Sequence, residues 1–482
     1  MVVPLLKQRA CSIKRFSKSI AVLFLFCFIS FSYLLFDQSL ITCFIDEPHY
    51  IYSVLLLSFS CFFVIAIFYR TQSIAPSIFL LAFFLLFPLV GHYGFNNFID
   101  QHGSFMGTVQ PPFAYPVFIW SLGTFFFFLG SMLCHLLIKY NQPSNFAPLN
   151  TKLITLFLFA TLIVALLASV LALYRIGYLP LFRYDIMNDR IQYAEIVGPV
   201  LWRFSNLWLV SGLMASTLLF RNCPHNARLC LMAALISALG MAIYGQRIGA
   251  VLVFIMVALF YVKSHKIKFA EICLSSLLLL AALYCFLLQG EIRGGRYSHD
   301  KSLKSVFFSN IFHEWIYYST VVDEYRTRKS FLGAKIFLGQ VATLVPRQFL
   351  GAVGYEKVSL VRKYTAAHYF GDEFGDPYGI RITPIGEAYA GFGIFGVIFQ
   401  MLLFGAYLGV LEVLYLKYDK NDARLMLIVF LLASMMYFPI GMLYMLLAPV
   451  TQQGLFVVVF YVLSKRKKRI TKYCYGYSDV AI

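Results

Sequence analysis

Apolar runs of about 18 or more residues recur along this 482-residue chain. Each run is long enough to cross the roughly 30 Å hydrocarbon layer of a bilayer. Because every backbone amide in lipid must be hydrogen-bonded within the protein, such runs must be helices. The chain has 60% hydrophobic residues and 13% charged residues, whereas soluble domains carry about 25% charged residues. We therefore predict an all-α, polytopic integral membrane protein.

The runs indicate about twelve membrane spans. They lie at residues 20–36, 50–69, 74–91, 113–138, 153–174, 198–220, 229–244, 248–262, 271–288, 386–416, 424–440 and 443–463. The first run is too long for a cleavable signal peptide and lacks a small-residue cleavage site, so we expect an anchor. Residues 229–262 would span about 51 Å as one helix. Two short spans with a turn at GQRIG, Gly245 to Gly249, are therefore expected.

The net charge of +18 would suit a nucleic-acid partner, but the placement of the basic residues argues against one. Lysine and arginine concentrate in alternate loops, which is the positive-inside pattern of membrane proteins. The alternation predicts that both termini are cytoplasmic. The expected surroundings of the chain are membrane lipids.

Residues 289–383 form one long polar stretch in an otherwise apolar chain. We expect a large outward-facing loop within a single integral domain, residues 1–482. Apolar segments at about 305–322 and 331–350 predict short amphipathic helices at the membrane interface. The tyrosines of this loop suit either sugar stacking or an interfacial aromatic belt, and the belt is the favoured interpretation.

Several kinds of chemistry are not indicated by the sequence. The ten cysteines show no CxxC pair, and a P-loop, HExxH and GxSxG are absent. Asp372, Glu373 and Asp376 offer only weak spacing for a divalent ion. We predict no metal and no cofactor, so the energy for any reaction must come from an activated substrate or a gradient.

Basic residues on the outward side oppose the sorting signal, and in the shorter outward segments they are all arginine: Arg175, Arg183, Arg190, Arg203 and Arg247. The planar guanidinium binds phosphate through paired donors. Arg183 and Arg190 could equally pair with acidic residues of their own loop. Arg247, in a turn between two spans, is a candidate for function because a charge at membrane depth costs about 2.5–3.5 kcal/mol. Snorkelling to the interface is its structural alternative.

Two segments of the large loop carry further candidates. Arg293 and Arg296 flank two glycines, which suits a phosphate site and also an ordinary loop. The segment from Gly379 to Gly393, GIRITPIGEAYAGFG, contains Arg381 and Glu387 at the start of a predicted helix. Thr383 would be the N-cap of this helix, and Pro384 would be its first residue. An N-terminus that faces outward would favour anions. Glu387 is a candidate general base, and His368, Asp372, Glu373 and Asp376 lie shortly upstream as further candidates.

The motif T-P-x-G-E-x-Y-x-x-F-G and the overall architecture resemble Wzy-type O-antigen and oligosaccharide repeat-unit polymerases. The motif comprises Thr383, Pro384, Gly386, Glu387, Tyr389, Phe392 and Gly393. The family commonly has Asn-Phe-Gly where this chain has Gly391-Phe392-Gly393. A short G-x-R, here Gly245 and Arg247, is also similar to that family.

The resemblance implies a bacterial inner-membrane glycosyltransferase that acts at the periplasmic face on undecaprenyl-pyrophosphate-linked oligosaccharides. It implies no nucleotide sugar, and a flippase and a chain-length regulator as possible partners in the pathway. Glu387, with His368 or Asp376 as alternatives, would be the base that deprotonates the acceptor hydroxyl, and Tyr389 would contact the substrate. Arginines would hold donor and acceptor: Arg247, Arg293, Arg296 and Arg381, with Arg183 and Arg190 second. The alternatives are an O-antigen ligase and a polysaccharide flippase or secondary transporter.

Overall fold

The computed structural model describes residues 48–71, 76–78, 80–85, 87–88, 114–138, 150–180, 196–220, 227–244, 247–264, 315, 318–327, 331–333, 383–436 and 443–464. Within these ranges the chain forms ten helices: α1 (Pro48–Thr71), α2 (Ala114–Leu137), α3 (Thr151–Ile176), α4 (Pro199–Ser205), α5 (Trp208–Leu219), α6 (Ala227–Ile243), α7 (Arg247–Ser264), α8 (Pro384–Lys417), α9 (Ala423–Met436) and α10 (Leu443–Ser464). Residues 80–85 and 318–327 are also helical. The predicted all-helical class is confirmed for the described residues.

Among the described residues, four helices are long and apolar enough to cross a membrane: Pro48–Phe68 within α1, then α2, α3 and α8. Shorter apolar helices lie in α6, α7, α9 and α10. This composition supports a membrane-embedded protein. The expected spans at 20–36 and 271–288 lie outside the described residues, so the number twelve stays a prediction.

The described helices alternate in direction. α1 and α2 run side by side in one direction, because the rings of His49 and Tyr115 are 5.4 Å apart near their starts. Near their ends, Arg70 Nη2 donates to Leu136 O at 3.4 Å. Contacts of the same kind give the direction of the other helices. Parallel to α2 run α5, α7, α10 and the end of α8. Antiparallel to α2 run residues 80–85, α3 and α6. We name the two ends of the bundle the Ala114 end and the Leu137 end, after α2.

Several basic residues lie together at one end of the bundle. Lys263 Nζ donates to Leu416 O at 3.0 Å at the Leu137 end, where Arg70 and Lys417 also lie. Such clustering agrees with the positive-inside pattern if the Leu137 end is cytoplasmic. Which end faces the periplasm stays a prediction.

Among the described helices, α2 and α8 make the most extensive contact, and glycines let their backbones approach. A Cβ at Gly405 would overlap the carbonyl oxygen of Phe127, and a Cβ at Gly409 would lie 2.7 Å from Ser131 O. Gly130 meets the backbone of α8 in the same way. These glycines therefore set the close approach of α2 and α8 between Phe127 and Ser131.

The expected turn between two short helices in residues 229–262 is confirmed. α6 ends at Ile243 and α7 begins at Arg247, and the two helices pack against each other. A Cβ at Gly249 would overlap the side chain of Met241. The glycine of the GQRIG turn thus allows the two helices to meet closely where the chain reverses.

The prediction of one continuous span at 386–416 is wrong, because α8 reverses direction within it. Phe392 and Gly393 have non-helical backbone angles, with φ of 62° and ψ of −145° at Gly393. Gln400 Nε2 donates to Pro384 O at 3.2 Å, although a straight helix would hold these residues about 24 Å apart. A Cβ at Gly396 would overlap Ala388 O. Residues 384–391, the fold-back helix, therefore lie antiparallel to residues 394–417, the long arm.

The expectation of an interfacial helix at 305–322 is wrong for its described part. Trp315 and Tyr318 are fully buried, and residues 319–322 are buried as well. Tyr318 Oη donates to Pro116 O at 2.9 Å, and its ring packs edge-on against Trp120 at 5.5 Å. Consecutive burial around the whole helix means that this segment enters the core beside α2. For Tyr318 the belt interpretation is therefore also wrong.

Candidate functional site

The fold-back helix carries the residues of the T-P-x-G-E motif. Thr383 is its N-cap, and Thr383 Oγ1 accepts a hydrogen bond from Gly386 N at 3.2 Å. Pro384 occupies the first turn, where its missing N–H leaves no donor unsatisfied. The predicted cap is confirmed, but the direction of the helix is not. Its N-terminus points into the bundle rather than outward, because the chain turns back at Phe392 and Gly393.

The depth of this N-terminus follows from α2. The side chain of Ile385 lies against Gly123, where an added Cβ would be 2.8 Å from Ile385 Cδ1. Gly123 is nine residues into α2, which corresponds to about 14 Å from the Ala114 end. Residues 383–391 are all buried. The motif therefore forms an internal helix that begins well inside the bundle and ends near its surface.

A short segment of the large loop holds the reversal in place. Leu332 N donates to Ala390 O at 3.0 Å, and Gly333 N donates to Gly391 O at 2.8 Å. These amides satisfy carbonyls that the interrupted helix would leave without partners. The ring of Phe331 lies against Gly393, where a Cβ would be 2.8 Å from Phe331 Cζ. Residues 331–333 therefore stabilise the Phe392–Gly393 turn through two backbone hydrogen bonds and the packing of Phe331.

Glu387 is 2% exposed and lies in the first turn of the fold-back helix. Glu387 N donates to Thr383 O at 2.9 Å, which continues the helix from its cap. A carboxylate near a helix N-terminus is stabilised by the helix dipole. Because Glu387 is buried, it can act as a base only on a hydroxyl group that enters the bundle.

Tyr389 joins the fold-back helix to α2 and to the large loop. Its hydroxyl lies 2.9 Å from the hydroxyl of Tyr115, and its ring packs edge-on against Phe331 at 6.0 Å. The guanidinium of Arg326 lies over the ring of Tyr115, 4.3 Å from its centroid. His49 packs against the same ring from α1. We call Tyr389, Tyr115 and Arg326 the tyrosine–arginine cluster.

Arg247 is the first residue of α7. α7 runs parallel to the long arm, since Tyr415 Oη donates to Leu259 O at 2.6 Å. Leu259 comes twelve residues after Arg247, a rise of about 18 Å, and the same rise along the long arm leads from Tyr415 to Leu403. The start of α7 therefore lies close to the level of the Pro384–Gln400 hydrogen bond. Arg247 and the N-terminus of the fold-back helix share one depth in the bundle.

Seven of the predicted site residues lie outside the described residues: His368, Asp376, Arg183, Arg190, Arg293, Arg296 and Arg381. Of the remaining arginines that were predicted to face outward, Arg175 donates to Val197 O at 2.7 Å and so ties α3 to the segment before α4. Arg203 is exposed.

A buried Glu–His pair was not found by the sequence interpretation. Glu412 of the long arm is fully buried, and its Oε2 lies 3.0 Å from Nε2 of His135 in α2. Ser131 Oγ donates to Oε2 at 3.2 Å, and the backbone amide of Ser77 donates to Oε1. Three donors from two other segments therefore surround one carboxylate. Glu412 and His135 are 277 residues apart, so no local pattern could reveal their contact.

The described part of the chain contains no group of three or more His, Cys, Asp or Glu side chains that could hold a metal ion. Comparison with known proteins adds no relative: no family model matches the chain, and neither the curated proteins nor the solved structures give a match.

Proposed function

We propose that the protein is a membrane glycosyltransferase that polymerises undecaprenyl-pyrophosphate-linked oligosaccharide repeat units into O-antigen or a related surface polysaccharide. The proposal includes action at the periplasmic face of a bacterial inner membrane. It rests on one observation above the others. The motif by which the chain resembles the polymerases forms a separate internal helix, with Glu387 buried in its first turn.

In the proposed reaction, a hydroxyl of the acceptor repeat unit attacks the anomeric carbon of the donor glycan. A new C–O bond forms, and the bond between that carbon and the pyrophosphate oxygen breaks with its electron pair going to the pyrophosphate. Glu387 takes the proton of the attacking hydroxyl. Arg247, Arg293, Arg296 and Arg381 are the proposed partners of the pyrophosphate. The products are the elongated lipid-linked glycan and undecaprenyl pyrophosphate.

Purified protein incubated with lipid-linked repeat units tests the proposal directly. We expect a ladder of polymer without nucleotide sugar or added metal. Glu387→Gln should lower the rate by about 100-fold or more, as expected for loss of a general base. Asp419→Asn is the matched control, because Asp419 is exposed at the Leu137 end and should leave the rate unchanged. Polymer formed at the normal rate by Glu387→Gln would remove Glu387 as the base.

A strain lacking the protein separates polymerase from ligase. Lipid A core bearing a single repeat unit is expected for loss of a polymerase. Loss of all attached O-antigen would indicate the ligase.

A flippase or secondary transporter is the second candidate, and two observations favour it. Transporters often have interrupted helices with termini inside the membrane domain and ionisable residues within their spans. The fold-back helix and the buried Glu412–His135 pair are features of that kind. Reconstituted protein should then move lipid-linked oligosaccharide across a vesicle membrane, and Glu412→Gln should stop that movement. Polymer formation in detergent, where no gradient exists, would reject transport as the sole function.

A further inference from the structure

The tyrosine–arginine cluster contains an arginine that the sequence interpretation did not select. Arg326 lies near the end of the helical residues 318–327 and is exposed at the Ala114 end. Its guanidinium stacks over the ring of Tyr115, 4.3 Å from the centroid. A cation–π contact at an exposed site is enough to favour one orientation of a flexible side chain.

The N–H donors of this guanidinium form no hydrogen bond with any residue that the structure describes. Within the described ranges, Arg326 forms no ion pair and no hydrogen bond. Asp323 lies one turn earlier on the same helix, and both residues are near enough to act electrostatically on the Tyr389 hydroxyl. When one face of a guanidinium lies on an aromatic ring, its N–H groups still point outward in the plane of the guanidinium. There they can bind two oxygens of a phosphate.

Tyr115 links this cation to the fold-back helix. Its ring carries Arg326 on one face, and its hydroxyl pairs with that of Tyr389 at 2.9 Å. The rings of His49 and Phe118 lie 5.4 Å and 6.1 Å from it and limit its rotation. The orientation of the guanidinium therefore depends on the same side chain that anchors the motif helix.

We propose that Arg326, held by Tyr115, binds the diphosphate of a lipid-linked substrate at the Ala114 end of the bundle. Tyr115 is a positioning residue: it sets the direction of the guanidinium and couples it to Tyr389. The inference rests on the proposed function for the identity of the ligand. Binding can nevertheless be measured without any polymer being made.

The test uses the full-length protein in lipid nanodiscs, with inorganic pyrophosphate and farnesyl diphosphate as separate probes in a calorimetric titration. Arg326→Gln and Tyr115→Leu should each weaken binding by about tenfold, the size expected for losing one charged hydrogen bond. Tyr115→Phe keeps the ring, so its affinity should stay within about twofold of the parent, while loss of the Tyr389 contact lowers turnover. The control is Arg228→Gln. Arg228 is exposed near the start of α6, at the Leu137 end of the bundle, and its loss should leave binding unchanged.

The two probes distinguish the source of the diphosphate. Binding of both probes identifies the diphosphate itself as sufficient, and binding of farnesyl diphosphate alone identifies a lipid headgroup. Absence of binding by the parent protein, or unchanged affinity of Arg326→Gln for both probes, would overturn the site. Arg326→Gln could also lose binding of the probes and still make a normal polymer ladder. That result would confirm the diphosphate site, but it would reject a role of the site in polymerisation.

Discussion

The side-chain amide of Gln400 donates a hydrogen bond of 3.2 Å to the carbonyl oxygen of Pro384, sixteen residues earlier. This bond joins the N-terminus of the fold-back helix to the long arm of the same helix. Its existence changes the meaning of the T-P-x-G-E motif. Instead of opening a membrane span from the outside, the motif opens a short helix that starts inside the bundle.

The Gln400–Pro384 bond should matter for activity more than its energy suggests. Gln400→Leu removes one buried hydrogen bond, and we expect a loss of about 1 kcal/mol in stability. The fold-back helix should loosen, and polymer formation should fall. Gln453→Leu is the matched control, because Gln453 is equally buried and donates to Arg203 O from α10. Thermal unfolding of both variants should be similar, and only Gln400→Leu should lose polymer; equal activity in the two would contradict this reading.

Gly393 should tolerate no side chain. Its φ of 62° with ψ of −145° is available to glycine almost alone, and an added Cβ would lie 2.8 Å from Phe331 Cζ. We expect Gly393→Ala to lower the melting temperature in detergent and to abolish activity. Gly177→Ala is the milder comparison, because Gly177 has φ of 81° with ψ of −1° and open space around it. It should cost only about 1 kcal/mol. An equal melting temperature for the two variants would contradict both the special backbone of Gly393 and the tight fit of Phe331.

The close approach of α2 and α8 predicts a second sensitive glycine. Gly405→Ala would place a methyl group on the backbone carbonyl of Phe127, which has no rotamer to relieve the overlap. We expect a loss of about 1–3 kcal/mol or more and less folded protein in the membrane. Gly212→Ala meets only the side chain of Val253, which can shift. The amount of monodisperse protein after mild solubilisation should therefore fall more for Gly405→Ala than for Gly212→Ala.

Sequence patterns gave much of the helical arrangement and little of the site. Apolar runs located the helices because a span needs about 20 apolar residues wherever it lies. The turn before Arg247 was predictable, since one helix through residues 229–262 would exceed the membrane. The reversal at Phe392–Gly393 was not, because its two arms are both apolar and only contacts such as Gln400–Pro384 distinguish a hairpin from a rod. Arg326 and Tyr115 likewise come together only through the tertiary fold.

The Glu412–His135 pair should behave as a coupled unit. Removing one partner of this buried contact leaves the other polar group without its hydrogen-bond partner and costs about 1–3 kcal/mol. We therefore expect Glu412→Leu and His135→Leu each to destabilise the protein. The double variant should be more stable than the sum of the single losses predicts, because neither member of the pair is left behind without the other. Strictly additive losses in a thermal-unfolding cycle would show that the two side chains do not depend on each other.

The contacts of Arg326 and Leu332 lead to a prediction about the two sides of the membrane. Arg326 contacts Tyr115 at the Ala114 end, and Leu332 contacts Ala390 near the tip of the hairpin. The chain after residue 333 therefore departs from the Ala114 end, which we predict to be periplasmic. In a variant without the ten native cysteines, Tyr355→Cys should react with an impermeant maleimide in intact cells. Asp419→Cys, exposed at the Leu137 end, should react only after the membrane is opened. The reverse pattern would place the loop in the cytoplasm and would remove the periplasmic reaction.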